Sequence, residues 1–105
     1  MVHYFALFFG GAFFANMLPH LIAGVQGKLF PSPFARPPGR GMSPPPVNVL
    51  WAAINGVIAW VLLCPVGGLD VGKVWDLGTA ALGGFIMALA ISRHFGRVMA
   101  EAGRN

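Results

Sequence analysis

The charged residues of this chain are separated by long gaps, and the gaps constrain the fold more than any motif does. No Lys, Arg, Asp or Glu occurs from Met1 to Gly27, from Gly41 to Leu69, or from Leu77 to Ser92. A hydrocarbon core of about 30 Å is crossed by roughly 20 apolar residues in a helix. The first two runs exceed that length, and the third reaches it with a few residues from each flank. The reading is an all-α integral membrane protein, one domain over residues 1–105 with three transmembrane helices and a proline-rich cytoplasmic loop. The spans are expected at 3–24, 47–64 and 71–95, and the loop at 28–46.

Composition agrees. Hydrophobic residues make up 56% of the chain and charged residues 10%, against about 25% charged in a soluble domain. Three spans and their connections occupy nearly the whole chain, so no soluble catalytic module fits. The net charge of +4 is small and lies beside the spans, where basic residues set orientation and touch anionic lipid. That excludes a nucleic-acid partner. Cys64 is the single cysteine; it reads as a small apolar helix residue, with no disulfide or metal spacing around it. The first apolar segment has no basic flank before it and is longer than a leader's apolar core. It is therefore expected to be a retained span.

Basic residues stay on the cytoplasmic side of a membrane. The connection between spans 1 and 2 carries Lys28, Arg36 and Arg40, and the tail carries Arg93, Arg97 and Arg104 against Glu101. The short connection between spans 2 and 3 holds Asp70, Lys73 and Asp76. All of these agree on an N-terminus outside and a C-terminus in the cytoplasm. Tyr4, Trp60 and Trp75 then fall at the outer interface, and Trp51 and Phe95 at the inner one. Aromatic rings with a polar tip prefer that depth. Pro65, Gly67 and Gly68 are expected to end span 2, and Asp70 to cap span 3.

Seven of the nine prolines lie between Lys28 and Pro46. Proline fixes φ and lacks an N–H, so this segment is expected to be extended polyproline-type chain, neither helix nor sheet, with turns at Gly39 and Gly41. Phe30, Phe34, Arg36 and Arg40 make it either a stiff spacer or a strap that docks on a partner or a neighbouring copy.

Polar side chains within a span are costly unless paired. Asn16 and His20 stand four apart, Asn48 and Asn55 seven apart, each pair on one helix face, with Pro19 between the first two. In the orientation above, Asn16 and Asn55 both lie roughly 12 Å in from the inner boundary. His20 and Trp51 are shallower, and Asn48, Ser92 and His94 are at the boundary itself. This cluster is expected to form a polar crevice open to the cytoplasm, used for binding or for helix packing. His20 and His94 are also weak candidates for ligating haem or a chlorophyll-type pigment, and His3 is at the opposite end. No metal site is expected. Small residues (Gly10, Gly11 and Ala15 in span 1; Gly78, Ala81, Gly83, Gly84 and Ala88 in span 3) offer close-approach faces for helix association.

The stretches N-x-x-P-H at Asn16–His20, F-P-S-P-F-A at Phe30–Ala35, P-P-G-R-G-M-S at Pro37–Ser43 and V-N-V-L-W at Val47–Trp51 resemble a group of small bacterial inner-membrane proteins. The resemblance covers about the first 60 residues. It implies a bacterial source and three spans, and it brings no activity with it.

The functional expectation is a non-catalytic subunit that packs into a larger membrane assembly, with lipids and other subunits or copies of itself as partners. The alternative is a homo-oligomeric channel or transporter for a small solute, with Asn16, His20, Asn48 and Asn55 lining its inner vestibule. A pigment-binding subunit ranks third. No nucleophile stands at motif spacing from His20, so no enzyme is expected.

Overall fold

The computed structural model describes residues 1–104 and is a three-helix membrane protein. Its elements are α1 (Val2–Val25), β1 (Phe30–Pro31), β2 (Met42–Ser43), α2 (Pro45–Val61) and α3 (Val74–Arg104). All three helices are long and apolar enough to cross a membrane. α1 packs between α2 and α3, which scarcely touch one another, and the molecule measures 47 × 23 × 21 Å.

Packing follows the logic of lipid as solvent. The core is made of small residues, Ala6, Ala12, Ala23, Ala52 and Ala59, together with Leu7, while Phe5, Phe9, Phe14, Trp60, Phe85 and Leu89 face outward. Apolar surface gains nothing by leaving lipid, so helices associate through close van der Waals contact, which small residues permit. The α1–α3 crossing is the clearest case. A Cβ on Gly11 would collide with the carbonyl of Ala80, and one on Gly83 with the carbonyl of Phe8. The two backbones thus meet directly. On the α2 side, a Cβ on Gly10 would lie 2.7 Å from the Leu63 side chain, and one on Gly24 would lie 2.5 Å from Val49.

Several boundaries depart from the sequence expectation. α2 begins at Pro45 rather than Val47, because proline is tolerated in a first turn where the N–H has no helical partner. Pro65 does not end the second span. Its missing N–H breaks the four-residue ladder, and the chain answers with a wider π-type turn over Leu62–Val66. Reversal comes at Gly68, with φ +57°; the N–H groups of Gly68 and Leu69 donate to the carbonyls of Cys64 and Leu63.

α3 starts at Val74, not at Val71, and Asp70 is not its cap. The Asp70 carboxylate accepts from the Gly72 N–H at 2.9 Å and so shapes the preceding turn. Asp76, in the first turn of α3, accepts from the Asp70 N–H at 3.2 Å and lies 3.7 Å from His3 Nε2. α3 runs on to Arg104, whose side chain lies outside the described residues.

The proline segment also differs from an extended coil. β1 and β2 form a short antiparallel pair, Phe30 opposite Ser43 and Pro31 opposite Met42. Phe30, Ser32 and Ser43 each precede a proline, which drives a residue toward extended backbone. Gly39, with φ +74°, supplies the tight bend between the strands.

Candidate functional site

The polar residues of α1 and α2 meet across the helix interface in two layers. In the deeper layer Asn16 Nδ2 donates to Asn55 Oδ1 at 3.0 Å, and Asn55 Nδ2 donates to the Trp51 carbonyl of its own helix at 2.8 Å. One turn toward the proline segment, His20 Nδ1 lies 2.8 Å from Asn48 Oδ1. Antiparallel helices place positions 16 and 20 of α1 against 55 and 48 of α2, so the spacings seen in the sequence become two rungs of one ladder.

Asn48 is the hub. Its Nδ2 donates to the carbonyls of Phe30 at 2.9 Å and Ser43 at 3.3 Å, the residues facing each other in the strand pair. Both amide hydrogens are then used on acceptors, which orients the side chain unambiguously and turns Oδ1 toward His20. The strap itself is cross-braced by Ser32 Oγ and Ser43 Oγ at 2.6 Å, and Ser32 Oγ also accepts from the Phe34 N–H at 3.1 Å. Ser32 and Ser43 were not anticipated from the sequence. The usable signal was the repeated Ser-Pro at 32–33 and 43–44.

Aromatic rings wall this layer. Phe30, Trp51 and Phe95 stand edge-on to His20, with centroids at 5.4, 6.4 and 5.7 Å. Phe34 lies edge-on to Trp51 at 5.5 Å. Phe30 and Phe95 are thus packing partners of His20. Trp51 is half-buried, whereas Trp60 and Trp75 are largely exposed, and Tyr4 stacks beside His3.

The crevice expected from the sequence is closed in this structure. Asn48 and Asn55 are 0% exposed and His20 2%; the strap lies across the end of the α1–α2 pair over Asn48 and His20. Every buried side-chain nitrogen and oxygen among the described residues has a hydrogen-bond partner. A flat ligand on His20 would require its three aromatic neighbours to move. Ser92 does not join the cluster; it is exposed and donates to the Leu89 carbonyl of its own helix at 2.8 Å. His94 is also outside it, yet it ties α3 to the strap. Its Nε2 lies 2.7 Å from the Gly39 carbonyl, and therefore donates.

A second tie is the ion pair between Arg40 Nη2 and Glu101, at 3.0 and 2.9 Å to the two carboxylate oxygens. Since Glu101 is paired with Arg40, the strap end of the molecule keeps the charges of Lys28, Arg36, Arg93 and Arg97 uncompensated among the described residues. Among the described residues no three His, Cys, Asp or Glu side chains gather at metal-ligand spacing. No family model matches the chain, and no curated protein or solved structure shows a significant match to it.

Proposed function

We propose that the chain is a non-catalytic subunit of a larger assembly in a bacterial inner membrane, with its N-terminus outside and its strap and C-terminus in the cytoplasm. One observation carries this reading. α3 uses Gly83 and Gly84 against α1, but Gly78, Ala81, Phe85, Leu89, Ser92 and Gly96 repeat at spacings of three and four on its exposed side. Small notches at Gly78, Ala81, Ser92 and Gly96 on either side of the apolar knobs Phe85 and Leu89 suit a neighbouring helix in lipid. A Cβ on Gly78 or Gly96 would meet nothing within 4 Å, so these notches serve no contact within the chain.

The orientation rests on Lys28, Arg36, Arg93 and Arg97 gathering at one end of the bundle. Asn16, His20, Asn48 and Asn55 are all paired, and all but Asn16 are buried, which favours a structural role for them over a conducting one. Gentle extraction from the native membrane followed by native mass spectrometry tests the reading. The chain should leave the membrane in a complex, and Gly78→Leu with Gly96→Leu should release it as a folded monomer. A wild-type chain that extracts only as monomer would defeat the proposal.

A further inference from the structure

We propose that the seam between α1 and α3 at the basic end of the bundle is a binding site for an anionic phospholipid. Small side chains and a proline hollow out this seam. Ala15, Pro19 and Ile22 of α1 face Ala88 and Phe95 of α3 across a depression of about 410 Å³, with Phe30 of the strap as its floor. A second depression of about 290 Å³ shares Pro19, Ile22 and Phe30, and continues to Gln26 and Lys28. Both volumes are close to or within the ordinary range of ligand pockets, about 300 to 1,000 Å³.

The chemistry along this seam changes in the order that a phospholipid changes. The first depression is walled by apolar groups with Ser92 as its one polar residue, which suits an acyl chain. The second ends at an exposed ammonium and an amide, just past the last turn of α1. That is the depth at which a headgroup phosphate would sit. Charge complementarity selects an anionic lipid. The nearest carboxylate on α3, Glu101, is already held by Arg40, and Lys28 makes no ion pair among the described residues.

The floor of the site is not accidental to the fold. Phe30 is held in place by the Asn48 amide on its carbonyl and by the rings of His20 and Phe95. The strap thus completes a groove that the helices alone would leave open at its lower end. Apart from Ser92, which lines the first depression and also belongs to the α3 face invoked for subunit assembly, the site shares no residue with that face, and it does not depend on the orientation of the chain in the membrane.

The experiment uses the purified full chain in nanodiscs of equal parts phosphatidylglycerol and phosphatidylcholine, released into native mass spectrometry so that retained lipids are counted. The wild type should retain phosphatidylglycerol over phosphatidylcholine by about five-fold, the preference one basic residue confers at a membrane surface. Lys28→Glu should abolish that preference with helicity unchanged. Ala88→Phe, which fills the apolar depression from an exposed position, should reduce retention of both lipids. Arg97→Glu, two residues beyond Phe95 and so off the groove face, should lower the preference less than Lys28→Glu does, because it changes only the general attraction of the surface. Equal retention of the two lipids by the wild type, a preference that survives Lys28→Glu, undiminished retention in Ala88→Phe, or a preference lost equally in Arg97→Glu would each overturn the site.

Discussion

The hydrogen bond between His20 Nδ1 and Asn48 Oδ1, 2.8 Å long, has only one possible direction. The Asn48 amide nitrogen is committed to the carbonyls of Phe30 and Ser43, so its oxygen faces the imidazole and can only accept. His20 therefore carries a proton on Nδ1. This makes Asn48 an adaptor with two sides, its oxygen reading α1 and its nitrogen reading the strap. Nitrogen-15 spectra of labelled protein in bilayers should show a protonated Nδ1 at His20 and lose that signature in Asn48→Leu.

The two sides of Asn48 can be separated. Asn48→Asp keeps an oxygen acceptor for His20 but can no longer supply both hydrogens that Phe30 and Ser43 receive, so at least one carbonyl is left unpaired. An unsatisfied buried polar group costs about 1 to 3 kcal/mol. The strap should therefore loosen while the α1–α2 contact persists. Hydrogen exchange of the Ala35 and Gly39 amides, both donated to the Ser32 carbonyl, should accelerate in Asn48→Asp. Exchange within α1 should change little.

The deeper rung is asymmetric. Asn55 is anchored by its own helix through the Trp51 carbonyl, whereas Asn16 reaches across to it. Asn16→Ala leaves Asn55 with one bond still made, but Asn55→Ala removes a side chain that is wholly buried and takes the partner of Asn16 with it. Asn55→Ala should be the more destabilising. A double-mutant cycle in bilayers or mild detergent should give a coupling of about 0.6 kcal/mol, and no more than roughly 1.7.

The extent to which this arrangement was legible in the sequence depended on which interactions were local. Spans, their number and their order follow from the charge-free runs, because the membrane imposes one length on every crossing segment. The grouping of Asn16, His20, Asn48 and Asn55 followed from helical spacing and depth. What spacing could not convey is that these groups face one another instead of a solvent-filled crevice; that depends on the strap folding back over them. The strap's pairing was obscured by its prolines, which forbid a long ladder but leave room for a two-residue one. His94 and Gly39 are 55 residues apart, and nothing in either neighbourhood announces the other. Depth alone does not say which way a side chain turns, and Ser92 turns back onto its own helix.

Glycines that look alike in the sequence should behave in opposite ways. Gly11 and Gly83 sit where a Cβ would strike a backbone carbonyl of the facing helix, and backbone cannot swing aside as a side chain can. Gly11→Ala and Gly83→Ala should pry α1 from α3 and destabilise by about 1 to 3 kcal/mol, the usual cost of overpacking. Gly78 and Gly96 open onto nothing in the chain. There alanine should be neutral or stabilise the isolated subunit by about 0.5 to 1 kcal/mol through helix propensity. Unfolding of all four purified variants in graded denaturing detergent should sort them into these two classes.

The two ties between α3 and the strap should also be unequal. Arg40 and Glu101 are both about half exposed, and an exposed ion pair contributes about 0 to 1 kcal/mol and weakens with salt. The His94–Gly39 bond is short and ends on a backbone carbonyl instead of a carboxylate, so salt should weaken it far less. Glu101→Gln should therefore leave the strap closed, with a slight opening that vanishes at high ionic strength, where the wild type has lost the same contribution. His94→Ala removes the donor to a turn carbonyl and should loosen the strap at every salt concentration. A nitroxide pair at Pro38 and Ala102, both exposed, reports the separation by electron resonance. A Glu101→Gln strap that opens fully, or a His94→Ala strap whose opening depends on salt, would reverse the assignment of which contact holds it down.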